Sequence, residues 1–517
     1  MTSLVAAPFV VSKVSYLAVA PMLIVFGAAL VGVLVEAFVP RRSRYAVQVA
    51  VTLAGLVIAV AELAFVAPHH QGRTVGGAVV IDGPSLFLQG TILLLSILGV
   101  LTMAERLEEV GPDAFTPQGS TIPGSVQEAE AGRLGATGTE VFPLTLFSVG
   151  GMLLFPASAD LLTMFIALEV LSLPLYILSG LARRRRLLSQ EASLKYFLLG
   201  AFSSAFFLFG AALLFGYSGS ADLSVIASAI GSRSGMDGLL LPGLLLVAIG
   251  LLFKVGAVPF HMWIPDVYQG APTPVTGFMA ACTKIAAFGA ILRFVYIGAA
   301  GSRWDWEPAL WAVAILTMVV GSVLLVTQTD VKRLLAYSSI AHAGFILTGL
   351  LALDRVGVSA TMFYLVAYGF TTIAAFAVVS LVRERGSEAT NLSQWAGLAK
   401  RSPLVAAVFA FLLLAFAGIP LTSGFTAKFA VFTAAVAHGG TVLAVIGVLA
   451  SAVTAYVYFR VIVLMYFSEP DGDGIRVVTP SIVTTLALSI GVLVTLLLGV
   501  VPASVLDLAS RSSLFLR

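Results

Sequence analysis

Apolar runs of about 20 residues recur along the chain, and they restrict its possible folds more than any other feature. Each run is long enough to cross the roughly 30 Å hydrocarbon core of a bilayer as one α-helix. Only 11% of the 517 residues are charged and 59% are hydrophobic, whereas soluble domains carry about 25% charged residues. Strands that cross a membrane would instead give short segments of alternating hydrophobicity. We therefore predict an all-α polytopic membrane protein.

Charged residues, Gly and Pro separate the apolar runs, and this pattern predicts about 14 transmembrane helices. No short apolar segment with a small-residue cleavage site precedes the first run, so we expect no removable signal peptide. The predicted spans start near Tyr16, Tyr45, Pro84, Val141, Leu161, Ala192, Leu239, Pro274, Ala309, Arg333, Val356, Pro403, Thr441 and Pro480.

Cations are distributed unevenly between the two sets of connections. Because positively charged loops stay in the cytoplasm, the bias predicts cytoplasmic odd-numbered connections and both termini outside. The net charge of +3 gives no indication of nucleic-acid binding. The even-numbered connections hold four cations: Arg73, Arg233, Arg303 and Arg355. The odd-numbered connections hold sixteen: Arg41, Arg42, Arg44, Arg106, Arg133, Arg183, Arg184, Arg185, Arg186, Lys332, Arg333, Arg383, Arg385, Lys400, Arg401 and Arg476.

Several classes of chemistry are excluded by missing residues. Cys282 is the only cysteine, so the chain has no internal disulfide and too few thiolates for an iron–sulfur cluster or a cysteine-type zinc site. It contains no GxxxxGK[ST] and no HExxH motif, so nucleotide hydrolysis and metalloprotease chemistry are not expected. We expect no cofactor or metal on this chain. The polar stretch at 105–140 is typical of a flexible loop, and SADLSVIASAIG before the seventh span is compatible with a small amphipathic helix or with a plain connection.

Two apolar regions contain helix breakers. The seventh continues into LLFKVGAVPFHMWIP and is expected to break at Pro259 and Pro265, whereas the twelfth is expected to break at Pro420. As one straight helix the twelfth region, residues 403–438, would also be longer than the bilayer is thick. Interrupted helices in two halves of a chain are typical of transporters built from inverted repeats.

Six cations and one acid fall inside the predicted spans. A cation near the middle of a bilayer costs about 2.5–3.5 kcal/mol, so such residues usually face a bundle interior and mark ion pathways. Arg293 and Arg460 lie nearer to span ends, where snorkelling to the interface is the simpler interpretation. Buried lysines can lose and regain a proton near neutral pH, which arginines cannot do. The remaining charged residues are Lys195, Lys254, Lys284, Lys428 and Glu169.

Two interpretations of these residues stay open. Glu169 is expected to have a buried lysine as its partner, either as a static pair that fixes helix packing or as part of a titratable relay. Lys195 lies close to the start of its span and suits interfacial anchoring as well as relay membership. His261 and His342 either bridge lysines as neutral imidazoles or lie satisfied in polar pockets.

The motifs FKVGAVPFHMWIPDVYQGAPTPVTGFMAACTKIAAFGAILR and TQTDVKRLLAYSSIAHAGFIL resemble the antiporter-like membrane subunits of respiratory complex I. The segment PDVYQGAPTPV is most similar to the N-type branch of that family. The resemblance implies two inverted five-helix repeats, spans 4–8 and 9–13, with spans 7 and 12 broken. It divides the chain into residues 1–140, 141–300, 301–470 and 471–517. The family's conserved positions correspond here to Glu169, Lys195, Lys254, Lys284 and Lys428.

The same resemblance implies a translocase, in which quinone reduction in neighbouring subunits drives protons past Glu169, Lys254, His261 and Lys284 toward Lys428. It implies FMN, iron–sulfur clusters and quinone in partner subunits, with a second antiporter-like subunit and small K-, J- and A-type subunits as neighbours. The expected location is a bacterial inner membrane. A subunit of an Mrp-type cation/proton antiporter is the alternative, and a structural scaffold with packing lysines is a third interpretation.

Overall fold

The computed structural model describes residues 14–106, 114–116, 119, 121–122, 125–133, 138–232, 237–384, 387–469 and 475–516. Arg233 and Arg385, counted above among the loop cations, lie outside these ranges, as does much of the polar stretch at 105–140. The part of that stretch that is described includes a helix, Val126–Arg133. The domain boundaries at 140, 300 and 470 stay a prediction.

The described residues form a bundle of helices with only five short strands, which confirms the predicted fold class. Eleven helices are long and apolar enough to cross a membrane, and the shorter segment at 141–157, the helix Val331–Leu350 and the broken twelfth segment bring the crossings to fourteen. Spans 1–7 are Tyr16–Phe38, Arg41–Phe65, Gly83–Met103, Val141–Leu154 continued by Phe155–Ala157, Leu161–Ser179, Arg186–Ser218, and Asp237–Val255 with Trp263–Gly270. Spans 8–14 are Thr273–Gly298, Arg303–Val326, Val331–Leu350, Arg355–Leu381, Pro403–Ala417 with Ser423–Ala437, Thr441–Phe467, and Ile482–Val500.

Spans 8 and 11 form the centre of the bundle. The apolar windows of both are 100% buried inside the protein, whereas spans 1, 2, 6, 9, 13 and 14 bury less than half of theirs. A span that is buried on every side has no lipid-facing stripe, so polar residues on it face other helices. This places Lys284, on span 8, in the protein interior.

The two breaks lie where prolines interrupt the apolar runs. Span 7 stops at Val255 and resumes at Trp263, with Pro259 between its halves. The expectation that Pro265 is also part of the break is wrong, because Pro265 lies in the first turn of the second half, where a missing N–H costs no helical hydrogen bond. Gly256 and Gly418 begin the two breaks with φ values of 75° and 83°, a conformation that glycine adopts without strain.

Short elements cover both ends of the bundle. The helix Leu223–Ser232 decides between the two alternatives left open for the segment before span 7, in favour of a helix, and Ala503–Arg511 follows span 14. Strands β1 (Gly72–Thr74) and β2 (Val79–Ile81) form an antiparallel hairpin. Strand β3 (Val382–Glu384) lies between β4 (Ser387–Glu388) and β5 (Ile475–Val477), antiparallel to both. The remaining short helices are Ala67–His70, Val75–Gly77, Ala300–Ser302, Leu392–Trp395 and Leu398–Arg401.

Candidate functional site

Lys254 lies in the last turn of the first half of span 7 and is 3% exposed. Its Nζ donates to Ser172 Oγ at 2.8 Å on span 5 and to Tyr196 OH at 3.0 Å on span 6. The same Nζ lies 5.1 Å from the centroid of the Tyr196 ring, within the range of a cation–π interaction. The amine is therefore held by neutral hydroxyl and aromatic groups.

Glu169 interacts with Lys254 without bonding to it. It lies one helical turn before Ser172, and its Oε1 is buried without a hydrogen-bond partner. Lys254 interacts with Glu169 electrostatically, yet no ion pair within 4.0 Å joins them among the described side chains. The expected buried Glu–Lys pair is thus an indirect one, with Ser172 bonded to the amine in place of the carboxylate.

Lys284 lies near the middle of span 8, directly after a π-helical turn, Met279–Thr283. Such turns are frequent at functional sites because the extra residue redirects the side chains that follow. Its Nζ donates to both oxygens of Ser339 on span 10, at 2.5 Å to the main-chain carbonyl and 2.6 Å to Oγ. The Tyr368 ring of span 11 lies 5.2 Å from the same Nζ.

Lys428 lies in the second half of span 12, after Pro420, and reaches back across the break. Its Nζ donates to the carbonyl oxygens of Phe416 and Ala417, both at 2.9 Å, and to Ser451 Oγ at 2.7 Å. The last carbonyls of a helix have no partner within it. Lys428 therefore caps the end of the first half-helix, as the negative end of a helix dipole favours.

The two breaks use different donors for the same purpose. In span 7 the carbonyl of Phe253 accepts from Trp263 Nε1 at 2.9 Å, whereas Lys254 turns toward the neighbouring spans. Lys254 precedes the break of span 7 in sequence, whereas Lys428 follows the break of span 12. Lys254 belongs to the last turn of the first half of span 7, and the side chain of Lys428 reaches the last turn of the first half of span 12. The opposite sequence order is thus compatible with equivalent places in the two halves.

His342 lies between Lys284 and Lys428. Its Nδ1 is 2.7 Å from Tyr364 OH, and its Nε2 is buried without a partner. The ring interacts electrostatically with the ammonium groups of both lysines. A neutral imidazole both donates and accepts a proton, so this position suits a bridge.

Two aromatic residues complete the connection around His342. The Tyr368 ring is 5.3 Å from the His342 ring and 5.2 Å from Lys284 Nζ. The Phe416 ring is 5.5 Å from the His342 ring, and the carbonyl of Phe416 accepts from Lys428. The structure therefore brings Lys284, His342 and Lys428 into one cluster.

Among the described residues, no hydrogen bond or ion pair joins Lys195 or His261 to that cluster. Lys195 forms ion pairs of 2.7 Å with Glu191 and with Asp266, and its side chain is 42% exposed, as suits a residue at the membrane surface. Asp266 also accepts from Arg333 at 2.6 Å. His261 lies in the break of span 7, buried, with no hydrogen-bond partner at Nδ1.

The two arginines of the predicted spans differ in their placement. Arg460 is exposed and donates to the carbonyls of Val326 and Gln328 at 3.2 Å, in agreement with an interfacial position. The expectation that Arg293 snorkels is wrong. Arg293 is 1% exposed and pairs with buried Asp82 at 2.7 Å, because the start of span 3 supplies a counter-charge inside the protein.

Sequence reasoning missed the hydroxyl and aromatic residues that hold the lysines. Aromatic rings extend from Lys254 toward Lys284: the Tyr196 ring lies 4.6 Å from the Trp263 ring, and the Trp263 ring lies 6.4 Å from that of Tyr268, which interacts with Ser339. Helical spacing carried a signal, because hydroxyls follow Glu169 at i+3 and i+7 on one face of span 5. The missed residues are Ser172, Tyr176, Tyr196, Trp263, Tyr268, Ser339, Tyr364, Tyr368 and Ser451.

The arrangement suits proton transfer within the membrane. Three buried amines and one buried imidazole lie beside hydroxyls that accept and donate protons. In the ranges that the structure describes, no group of three or more His, Cys, Asp or Glu side chains could hold a metal ion.

Comparisons with known proteins agree with this geometry. The family profile described as NADH:quinone oxidoreductase/Mrp antiporter, TM, matches residues 158–454. A chain of respiratory complex I from Thermus thermophilus is 32% identical, with a TM-score of 0.75 and coverage of 95% of this chain and 99% of that one. A chain of the Mrp complex from Dietzia sp. has a TM-score of 0.80 at 23% identity, covering 96% of this chain and 97% of that one, which is a likeness of fold.

Relatives found by sequence similarity identify the family more closely than the solved structures do. NADH-quinone oxidoreductase subunit N of Rhodococcus opacus is 60% identical, and the match covers 98% of this chain and 97% of that protein. The subunit N of Mycobacterium tuberculosis is 56% identical, with 98% and 99% covered. The chain therefore belongs to the NADH-quinone oxidoreductase subunit N family.

Proposed function

We propose that this chain is the proton-translocating membrane-arm subunit of an NADH:quinone oxidoreductase and couples quinone reduction in other subunits to proton pumping. The observation that carries the proposal is the series of buried amines of Lys254, Lys284 and Lys428, each bonded to a side-chain hydroxyl of another span. Relatives named subunit N, at 56–60% identity, favour this function over that of an Mrp-type antiporter.

In this mechanism Glu169 controls the proton affinity of Lys254 through the electric field, because the two groups interact without sharing a proton. A change in the position or charge of Glu169 alters the stability of the Lys254 ammonium and makes it take up or release a proton. The proton moves laterally past Tyr268 and Ser339 to Lys284. His342 then passes it to Lys428, beside the break in span 12.

The membrane potential sets the energy that each step needs. Moving one charge across 100 mV costs about 2.3 kcal/mol. Since about 1.4 kcal/mol corresponds to a tenfold change in proton affinity, a relay group must change its affinity by roughly 50-fold per cycle. Buried amines held by neutral partners meet this requirement, because in a low dielectric a nearby charge has a large effect.

The chemistry of the redox reaction belongs to partner subunits in this proposal. FMN, iron–sulfur clusters and quinone are bound there, and this chain contributes no redox centre. Its neighbours are a second antiporter-like subunit and small K-, J- and A-type subunits in a bacterial inner membrane. The loop cations favour both termini outside the cytoplasm. In this proposal Lys195 anchors its span at the membrane surface, and His261 lies at the break of span 7.

Replacement of Lys254 tests the relay. We expect Lys254→Ala to assemble into the complex and to lose most of its proton pumping in inverted membrane vesicles, whereas Lys400→Ala, at a half-exposed surface lysine, pumps normally. Assembly is checked by co-purification with the flavin and iron–sulfur subunits. Full proton pumping by an assembled Lys254→Ala complex would refute the relay, and failure of the wild-type chain to co-purify with those subunits would refute its place in the complex.

A further inference from the structure

A polar cavity of about 50 Å³ lies on the face of the bundle that carries the odd-numbered connections. Five cations line it: Arg183, Arg184 and Arg185 between spans 5 and 6, Lys332 at the start of span 10, and Arg383 on β3. Among the described residues of the lining, Glu388 is the one carboxylate. We call these six residues the basic pocket. Arg183 already has a partner of its own, and the other four cations outnumber the one carboxylate among the described residues of the lining.

Neutral groups contact three of the cations, Lys332, Arg185 and Arg383. Lys332 is 2% exposed, and its Nζ donates to the carbonyl of Ala271 at 2.7 Å but is 3.9 Å from Glu388 Oε2. That same Oε2 already accepts from Thr273 Oγ1 at 2.5 Å. An ammonium has three donors, so the buried amine of Lys332 is incompletely neutralised by the protein around it.

Arg185 and Arg383 are likewise anchored and have donors that remain unused in these contacts. Arg185 Nη1 donates to Thr390 Oγ1 at 2.8 Å, and Arg383 Nε donates to the carbonyl of Ser380 at 3.1 Å. A guanidinium has five N–H donors, so each has several that remain for a ligand. Anchoring fixes the side chains before a ligand arrives, which reduces the entropy lost on binding.

The backbone of Arg185 supports a binding role. Arg185 has φ 55° and ψ 42°, a left-handed conformation that residues other than glycine seldom adopt. Strain of this kind persists where the surrounding structure requires it, and it is concentrated at functional sites. Arg185 is the last residue of the connection between spans 5 and 6, directly before span 6, and it lines the basic pocket.

We propose that the basic pocket binds a phosphate-class oxyanion, either inorganic phosphate or the phosphate of an anionic lipid headgroup. Guanidinium forks match the geometry of phosphate oxygens, and an ammonium adds a point charge. One water molecule needs about 10–15 Å³ of such space, so a cavity of about 50 Å³ suits one phosphate group. The site is independent of the proton relay.

The test uses the purified complex that contains this chain, washed free of phosphate in a neutral detergent. In one arm, equilibrium dialysis with radiolabelled inorganic phosphate at matched ionic strength gives affinity and stoichiometry. In the other arm, the complex is exchanged into nanodiscs of phosphatidylglycerol or of phosphatidylcholine, and native mass spectrometry counts the retained lipids. Both arms compare wild type with Arg383→Gln and Arg185→Gln, and with Arg41→Gln as a control at an exposed arginine of an odd-numbered connection.

We expect the wild-type complex to bind one phosphate or one phosphatidylglycerol at this site. Arg383→Gln and Arg185→Gln should bind it at least tenfold more weakly, and Arg41→Gln should bind it as the wild type does. Loss in the dialysis arm identifies free phosphate, and loss in the nanodisc arm alone identifies a headgroup. Equal binding by wild type and both pocket variants in both arms overturns the proposal. If one pocket variant does not assemble, the other still decides the question.

Discussion

Lys428 donates a hydrogen bond of 2.9 Å to the carbonyl oxygen of Phe416, across the interruption of span 12. The ammonium group of Lys428 therefore has two roles, because it caps a broken helix and occupies the last position of the candidate relay. The loss of Lys428 is therefore expected to affect stability as well as transport, and the two effects can be measured separately.

Lys428→Met is expected to lower the free energy of unfolding by about 2–4 kcal/mol. The change leaves the carbonyl of Phe416 without its donor and the carbonyl of Ala417 with only a 3.4 Å bond from Ser451 Oγ. A buried unsatisfied group costs about 1–3 kcal/mol. Lys400→Met is the control, because Lys400 is half-exposed and pairs with exposed Glu469. Unfolding of the purified chain in mixed detergent micelles gives both values, and equal stability of the two variants would contradict the capping role.

Ser172→Ala is expected to slow proton pumping roughly tenfold while NADH oxidation in uncoupled membranes is retained. Its hydroxyl accepts from Lys254 at 2.8 Å, and a hydrogen bond to a charged group contributes about 1.5–3 kcal/mol. Ser172→Thr keeps the hydroxyl and should pump at close to the normal rate. If both variants pump alike, the direct role of Ser172 as the contact of Lys254 is wrong.

Arg293→Leu is expected to destabilise the fold by about 3–5 kcal/mol, because it leaves the buried carboxylate of Asp82 without its counter-charge. The control is Arg303→Leu, which removes an exposed pair with Glu307 and should cost less than about 0.5 kcal/mol. Asp82 Oδ2 also accepts from the backbone N–H of Leu516 at 3.1 Å. Faster proteolysis of the C-terminal segment in Arg293→Leu should therefore accompany the loss of stability.

Asp222→Asn is expected to cost about 1 kcal/mol at neutral pH and much less under acid conditions. Burial by itself raises the pKa of Asp222, but hydrogen bonds from Ser224 and the neighbouring Arg73 outweigh burial and lower it. A folded-state pKa below the unfolded value means that the carboxylate stabilises the protein above about pH 3.9 and that this contribution is lost as the pH falls through the folded value.

Thermal unfolding between pH 7 and pH 3 checks the Asp222 prediction. The difference between wild type and Asp222→Asn should shrink below about pH 4. Asp507→Asn, at an exposed aspartate of the C-terminal helix, should behave as wild type throughout. A constant difference at every pH would show that the carboxylate charge is not the source of the effect.

The fold class, the fourteen crossings, the breaks at Pro259 and Pro420 and the burial of Lys254, Lys284 and Lys428 could be predicted from the amino-acid sequence. These features are local. A run of apolar residues must satisfy its own backbone within the bilayer, so helix formation is decided by each segment alone. The observed spans accordingly start within a few residues of the predicted positions, apart from longer amphipathic beginnings such as Arg186 before Ala192.

The partners of the charged residues depend on the tertiary structure. Ser172, Ser339 and Ser451 reach their lysines from other spans, Arg293 is paired instead of snorkelling, and Lys332 is buried although it begins a helix next to a loop. Such contacts join residues distant in sequence, and no local pattern specifies them. They form because a charge or polar group that leaves water must find a partner inside the protein, and packing of the helices determines which one is within reach.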